Sequence, residues 1–120
     1  MLLKNIILVG LGGMIGSVMR YLTSHFIRHG SFPYATFTVN IAGSFLIGMI
    51  MGIASRQEGF ANWRLFLATG ICGGFTTFSA FAWENMQLLS QERYGAFVLY
   101  TGGTLVLGLA VVTLGYWITK

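Results

Sequence analysis

Four apolar runs take up almost the whole of this 120-residue chain: Asn5 to Phe26, Tyr34 to Ala54, about Trp63 to Leu89, and Tyr94 to Thr119. Each is near the ~20 residues a helix needs to cross the hydrocarbon core of a bilayer. In that solvent the backbone must pair its own N–H and C=O groups, which leaves α-helix as the conformation for runs of this length. Only 8% of the residues are charged and the mean hydropathy is +0.73, whereas about a quarter of a soluble domain is charged. The sequence predicts an all-α membrane protein, residues 1–120 forming one integral membrane domain with four transmembrane helices and almost nothing outside them.

The aromatic residues Tyr21, Tyr34, Trp63, Trp83, Tyr94, Tyr116 and Trp117 lie close to the ends of these runs, where interfacial belts are expected. The first run continues past signal-peptide length and lacks a small-x-small cleavage site, so it reads as a spanning helix. Cys72 is the single cysteine; it excludes an intramolecular disulfide, gives no zinc pattern, and reads as a small apolar helix residue. The net charge of +4 sits mostly at helix ends, which suits lipid headgroups rather than nucleic acid.

Within the third run stands GICGGFTTFSAF, residues 70 to 81. Gly73 and Gly74 are poor helix formers, and two threonines follow them, so the helix is expected to break near residues 73–77. Irregular backbone at membrane depth is tolerated only where protein or a water-filled cavity covers it. A break in this place therefore calls for something to occupy the freed backbone groups.

Four spans put both termini and the second interhelical loop on one side, with Lys4, Arg56, Arg64 and Lys120; the other side carries Arg20, Arg28 and Arg93. So small a difference gives the positive-inside rule little to act on. The expectation is a chain that inserts both ways up and works as an antiparallel, dual-topology homodimer. If Arg20 is too deep to count, the balance becomes four to two and favours one orientation. A four-helix bundle has little interior, so a transport pathway is expected at the interface between two copies. Gly12-x3-Gly16 and Gly48-x3-Gly52 suit close helix contact.

Several polar residues stand in apolar surroundings. Asn40 shares a helix face with Gly43, Ser44 and Gly48, and an unmet amide in hydrocarbon costs several kcal/mol, on the order of 4–8. It is either interhelical glue or a donor lining a pathway. Thr76, Thr77 and Ser79 follow in the third run, and Phe78, Phe81 and Glu84 fall near one face if the helix resumes. Phenylalanines at this spacing ordinarily pack, and Glu84 beside Trp83 can be a solvated end residue. Tyr100 and Thr104 lie one turn apart in the fourth run.

Nothing suggests an enzyme. The chain has no aspartate, so a Ser/His/Asp triad is impossible. His25 and His29 have metal-ligand spacing on a helix, but read as a solvated loop pair. GLGGMIG has Ile15 in place of the last glycine of a dinucleotide loop and lies in a membrane run.

Three blocks, GGMIGSVMRY, TFTVNIAGSFLIG and GICGGFTTFSAF, resemble the small bacterial fluoride channels of the Fluc/CrcB family. The third is the most specific, and the fourth run matches by character more than by motif. The resemblance implies a dual-topology dimer whose third helix breaks at the dimer centre. There, backbone carbonyls matching Gly73 and Thr76 would hold a structural sodium ion (Na+). It implies an anion pathway of Asn40, Phe78, Phe81, Ser79 and Thr77, with Arg20 closing the first helix and Glu84 near the pore mouth. A polar track starting at Tyr100 and Thr104 also fits; Gly108 interrupts it, and Ala80 replaces a threonine seen in many relatives.

The residue types suit such chemistry. Fluoride is small and strongly hydrated, so a pore must replace its water with amide and hydroxyl donors. Phenylalanine edges are electropositive, and weak binding lets an ion leave. The expected function is passive, fluoride-selective export from the cytoplasm across the bacterial inner (plasma) membrane, relieving fluoride toxicity, with the fluoride ion, the lipid bilayer and a second copy as partners. Two alternatives stand beside it. A small proton-coupled multidrug exporter needs a central membrane carboxylate, typically in the first helix, which has none. A non-transporting membrane scaffold would use the glycines but not Asn40 with Thr-Thr-Phe-Ser.

Overall fold

The computed structural model describes residues 1–27 and 30–120. Among the described residues there are four apolar helical spans of membrane length. The first is α1 (Leu2–Phe26) and the second α2 (Tyr34–Ala54). The third runs from Ala61 to Ser90: a short α3 (Ala61–Arg64), a π-helical segment (Leu65–Cys72), a single turn α4 (Gly73–Phe75), and α5 (Phe78–Ser90). The fourth is α6 (Tyr94–Thr119). The first span thus starts at Leu2 rather than Asn5. The third starts at Ala61 rather than Trp63 and ends at Ser90 rather than Leu89.

The spans pair in two sets, each held by glycines that let backbones touch. Side chains at Gly12 and Gly16 would run into the backbone of the third span at Phe66, Gly70, Ile71 and Phe75. Gly74 answers from the other side, against Gly13 and Ser17. The contacts rise in number together along both chains, so α1 and the first half of the third span run parallel. Gly48 and Gly52 similarly meet α6 at Val112 and Tyr116, and Gly115 meets α2 at Phe45 and Met49, so α2 and α6 also run parallel. Close approach of this kind is what small residues supply where lipid gives no hydrophobic drive between helices.

The break is real but lies after the glycines. Gly73 and Gly74 are helical, and the backbone leaves the helix at Thr76 (φ −87°, ψ 157°) and Thr77 (φ −150°, ψ 123°). Low helix propensity had placed the glycines inside the break; packing against α1 explains Gly74 better. The π-helical segment just before the break is itself a rare form that concentrates at functional sites.

Two expectations change or lie out of reach. Arg20 is half-buried and donates from Nε to the Gly74 carbonyl at 3.0 Å, near the middle of the third span. Its charge belongs to the interior rather than to a loop, which is the four-to-two case. Arg28 and His29 lie outside the described residues, and so does the proposed His25–His29 pairing; His25 is exposed beside Tyr21 and Phe26.

Candidate functional site

Unwinding at Thr76 and Thr77 frees backbone groups, and side chains from neighbouring helices take them up. Asn40 on α2 closes a two-point bond with Thr77: its Oδ1 accepts from Thr77 N at 2.8 Å, and its Nδ2 donates to Thr77 O at 3.0 Å. Arg20 caps the Gly74 carbonyl. The Thr77 hydroxyl accepts from Ala80 N at 3.2 Å and so caps α5, the usual task of a threonine at a helix start. Thr76 Oγ1 donates back to Cys72 O at 2.8 Å. Gly43 makes room for this arrangement, because a side chain there would strike Thr76. The break is thus built by α1, α2 and the third span together.

Beside it is a cavity of about 340 Å³, open to one side of the bundle. Asn40, Ser44, Thr76, Thr77, Phe78, Phe81 and Thr104 contribute to its walls. Among the described residues no lysine, arginine or carboxylate lines it. Ser79 lies next to it, with its hydroxyl 3.3 Å from that of Thr77. The result is a largely apolar recess, with Ile47, Ala68, Cys72 and Leu105 also on its wall, into which Asn40, Ser44, Thr76, Thr77 and Thr104 bring uncharged polar groups.

The two phenylalanines differ in setting. Their rings lie 5.9 Å apart, tilted by 47°. Phe81 is buried and packs 5.0 Å from the Tyr100 ring, whereas Phe78 is 78% exposed.

Glu84 is not a solvated end residue. Its Oε2 accepts from Thr36 Oγ1 at 2.8 Å and its Oε1 from the Tyr100 hydroxyl at 2.9 Å. Tyr100 is fully buried, with Phe81 and Leu88 in the same core cluster. Through Tyr100 the carboxylate is joined to Phe81, so Phe78, Phe81, Glu84 and Tyr100 form a connected row. Glu84 also borders a smaller cavity of about 180 Å³ that reaches Arg20, Thr36 and Thr77.

Of the residues singled out from sequence, Asn40, Thr76, Thr77, Phe78, Phe81, Thr104 and Gly73 share the large cavity, while Arg20, Glu84 and Tyr100 stand at its flanks. Sequence reasoning missed Thr36, although it lies one turn before Asn40 on the same face. It also missed the buried Asn85, which accepts from Thr101 Oγ1 at 3.2 Å and ties α5 to α6. The i, i+3 spacing of Asn85 from Leu88 marks it as inward-facing.

Among the described residues no three of His, Cys, Asp and Glu come together to hold a metal ion. Carbonyl oxygen is the remaining donor type. Gly73 and Thr76 both border the large cavity, and the extended ψ of Thr76 turns its carbonyl out of the helix. Neutral oxygens of this kind fit a hard monovalent cation.

Comparison with known proteins places this geometry. The profile of the family described as CrcB-like protein, Camphor Resistance (CrcB), matches residues 7–116. A protein of Azobacteroides pseudotrichonymphae named fluoride-specific ion channel FluC is 44% identical, over 99% of this chain and 98% of its own length. The identically named protein of Phocaeicola vulgatus is 46% identical, over 98% of this chain and 100% of its own. That of Flavobacterium psychrophilum is 44% identical, over 98% of both chains. With that family's profile matched from residue 7 to residue 116 and relatives 44–46% identical over nearly the full chain, the chain belongs to the CrcB family.

Proposed function

We propose that this chain is a fluoride channel rather than an enzyme: a passive, fluoride-selective pathway that lets the anion leave the cytoplasm of a bacterial cell across its inner membrane. The names of the relatives support the substrate. The observation that carries the reading is the break at Thr76–Thr77, clamped by Asn40 beside a recess of uncharged donors. An anion entering it meets hydroxyls, an amide hydrogen and ring edges, but no lysine or arginine on the wall to hold it fast. Asn40 spends one of its two amide hydrogens on Thr77 and keeps the second for a ligand.

The working unit in this proposal is an antiparallel homodimer of dual topology, with pores at its interface. The support is the open recess, whose wall includes polar groups of Asn40, Ser44, Thr76, Thr77 and Thr104. In a single copy, hydroxyls and an amide would face hydrocarbon, which is costly; a second copy covers them. Charge balance contributes little, given the position of Arg20. A structural sodium ion at the centre, held by the Gly73 and Thr76 carbonyls of both copies, would supply fixed positive charge near the path. The anion itself passes along Phe78, Phe81, Ser79, Thr77 and Asn40 and on past Thr104, with Arg20, Glu84 and Tyr100 shaping the approach.

A proton-coupled exporter is not favoured. The first span has no carboxylate, and Glu84 is engaged by Thr36 and Tyr100. Liposomes loaded with fluoride or chloride and carrying the purified protein distinguish the readings. Fluoride efflux at the electrode with chloride retained is expected; fluoride efflux no faster than from protein-free liposomes contradicts the channel.

A further inference from the structure

We infer that Ser44 is a further residue of the anion path, forming with Thr104 a two-hydroxyl station between α2 and α6. The inference rests on the channel reading above.

The starting point is an unmet group. Thr104 Oγ1 is buried and has no hydrogen-bond partner among the described residues. A hydroxyl on a membrane helix ordinarily bonds back to a carbonyl of its own helix. Thr23, Ser90, Thr113 and Thr119 do so, with carbonyls four residues before them. Thr104 does not, and neither does Ser44, which is half-buried, borders the same cavity and makes no hydrogen bond among the described residues. Two hydroxyls left unspent on the walls of one cavity amount to two donors kept for something that enters it.

Register brings them together. Ser44 follows Asn40 by one turn on α2, and Gly108 follows Thr104 by one turn on α6. The two helices run parallel, and a side chain at Gly108 would first meet Ser44 Oγ, at 3.8 Å, with nothing nearer. Asn40 and Ser44 therefore stack along one wall, with Thr104 and the bare Gly108 along the other. The missing side chain at Gly108 leaves the Ser44 hydroxyl uncovered from the α6 side. A small anion released by the Asn40 amide finds its next donors here, one from each helix. Among the described residues the cavity wall carries no carboxylate to repel an anion, and the two hydroxyls can donate to one in place of its water.

The test uses the intact protein in liposomes, with fluoride efflux, chloride efflux and the size-exclusion profile of each variant. Loss of one hydrogen bond to a charged species predicts that Ser44→Ala slows fluoride efflux by about tenfold, with the dimer profile unchanged. Ser44→Thr keeps the hydroxyl and is expected near the wild-type rate. The decisive variant is Ser44→Ala combined with Gly108→Ser, which moves the hydroxyl across to α6, where 3.8 Å of clearance admits it. Recovery of efflux in that double variant is expected, and a packing role for Ser44 would not produce it. Wild-type conduction with an unchanged rate in Ser44→Ala overturns the inference and leaves the channel reading intact. So does a slowed Ser44→Ala that Gly108→Ser fails to restore. Absence of fluoride efflux in the wild type overturns the channel reading itself.

Discussion

Asn40 holds the backbone of Thr77 from both sides, accepting its N–H at 2.8 Å and donating to its C=O at 3.0 Å. A residue in the unwound stretch of one span is thereby bonded as a strand neighbour would bond it, by a side chain of another span. The clamp replaces backbone pairing that the break removes, and it fixes the start of α5 and the rings at Phe78 and Phe81.

Asn40→Asp tests the junction. The carboxylate still accepts from Thr77 N, but it has no hydrogen for Thr77 O and places negative charge on an anion path. Fluoride efflux should fall by more than about tenfold, since like-charge repulsion adds to an unpaired buried carbonyl worth about 1–3 kcal/mol. Efflux from liposomes reports the loss, and size exclusion shows whether the proposed dimer survives. Wild-type flux in this variant would remove Asn40 from the path.

Phe81→Ile keeps bulk but removes the ring that packs 5.0 Å from Tyr100 and 5.9 Å from Phe78. Its electropositive edge is lost, so efflux should slow markedly while the protein remains folded. Stability should fall by less than about 1.5 kcal/mol, as for a hydrophobic swap near constant volume. Thermal melting in detergent and liposome flux, measured on the same preparation, separate the two effects.

The glycines of the α1 pairing should be sharply graded. Gly16→Ala and Gly74→Ala drive a methyl into facing backbone, at Ile71 and Gly13 respectively, where neither side can yield. Both should melt lower than wild type by several degrees or fail to assemble. Gly10→Ala and Gly102→Ala meet nothing within 4 Å and should melt like wild type, or slightly higher through better helix propensity, about 0.5–1 kcal/mol.

Dual topology has its own readout. In a Cys72→Ala background, single cysteines at Gly30 and at Gly59 lie in different interhelical loops. Each should be labelled by an impermeant maleimide from both faces of the membrane. Labelling of each from one face alone would contradict the antiparallel dimer and return the weight to the four-to-two charge balance.

Much of this was legible in the sequence, for physical reasons that can be named. Apolar runs of membrane length leave little choice of backbone, so α2 and α6 begin and end where the pattern changes, at Tyr34 and Ala54 and at Tyr94 and Thr119. Low helix propensity marked the region of the break to within a few residues. It did not distinguish glycines that unwind a helix from glycines that let it touch a neighbour; Gly74 does the second. The Glu84–Thr36–Tyr100 cluster was not legible either. Its members come from three spans, and single-sequence spacing reports only on neighbours within one. The same limit hid the Asn85–Thr101 bond.

The central claim is that fluoride moves passively down its electrochemical gradient. It is tested most directly in liposomes with equal fluoride and equal pH on both sides, where a potassium gradient with valinomycin sets the membrane potential. Net fluoride movement should follow the sign of that potential, reverse when the gradient is reversed, and leave chloride behind. Fluoride movement that ignores the potential, or that appears only with a pH difference, would contradict the account.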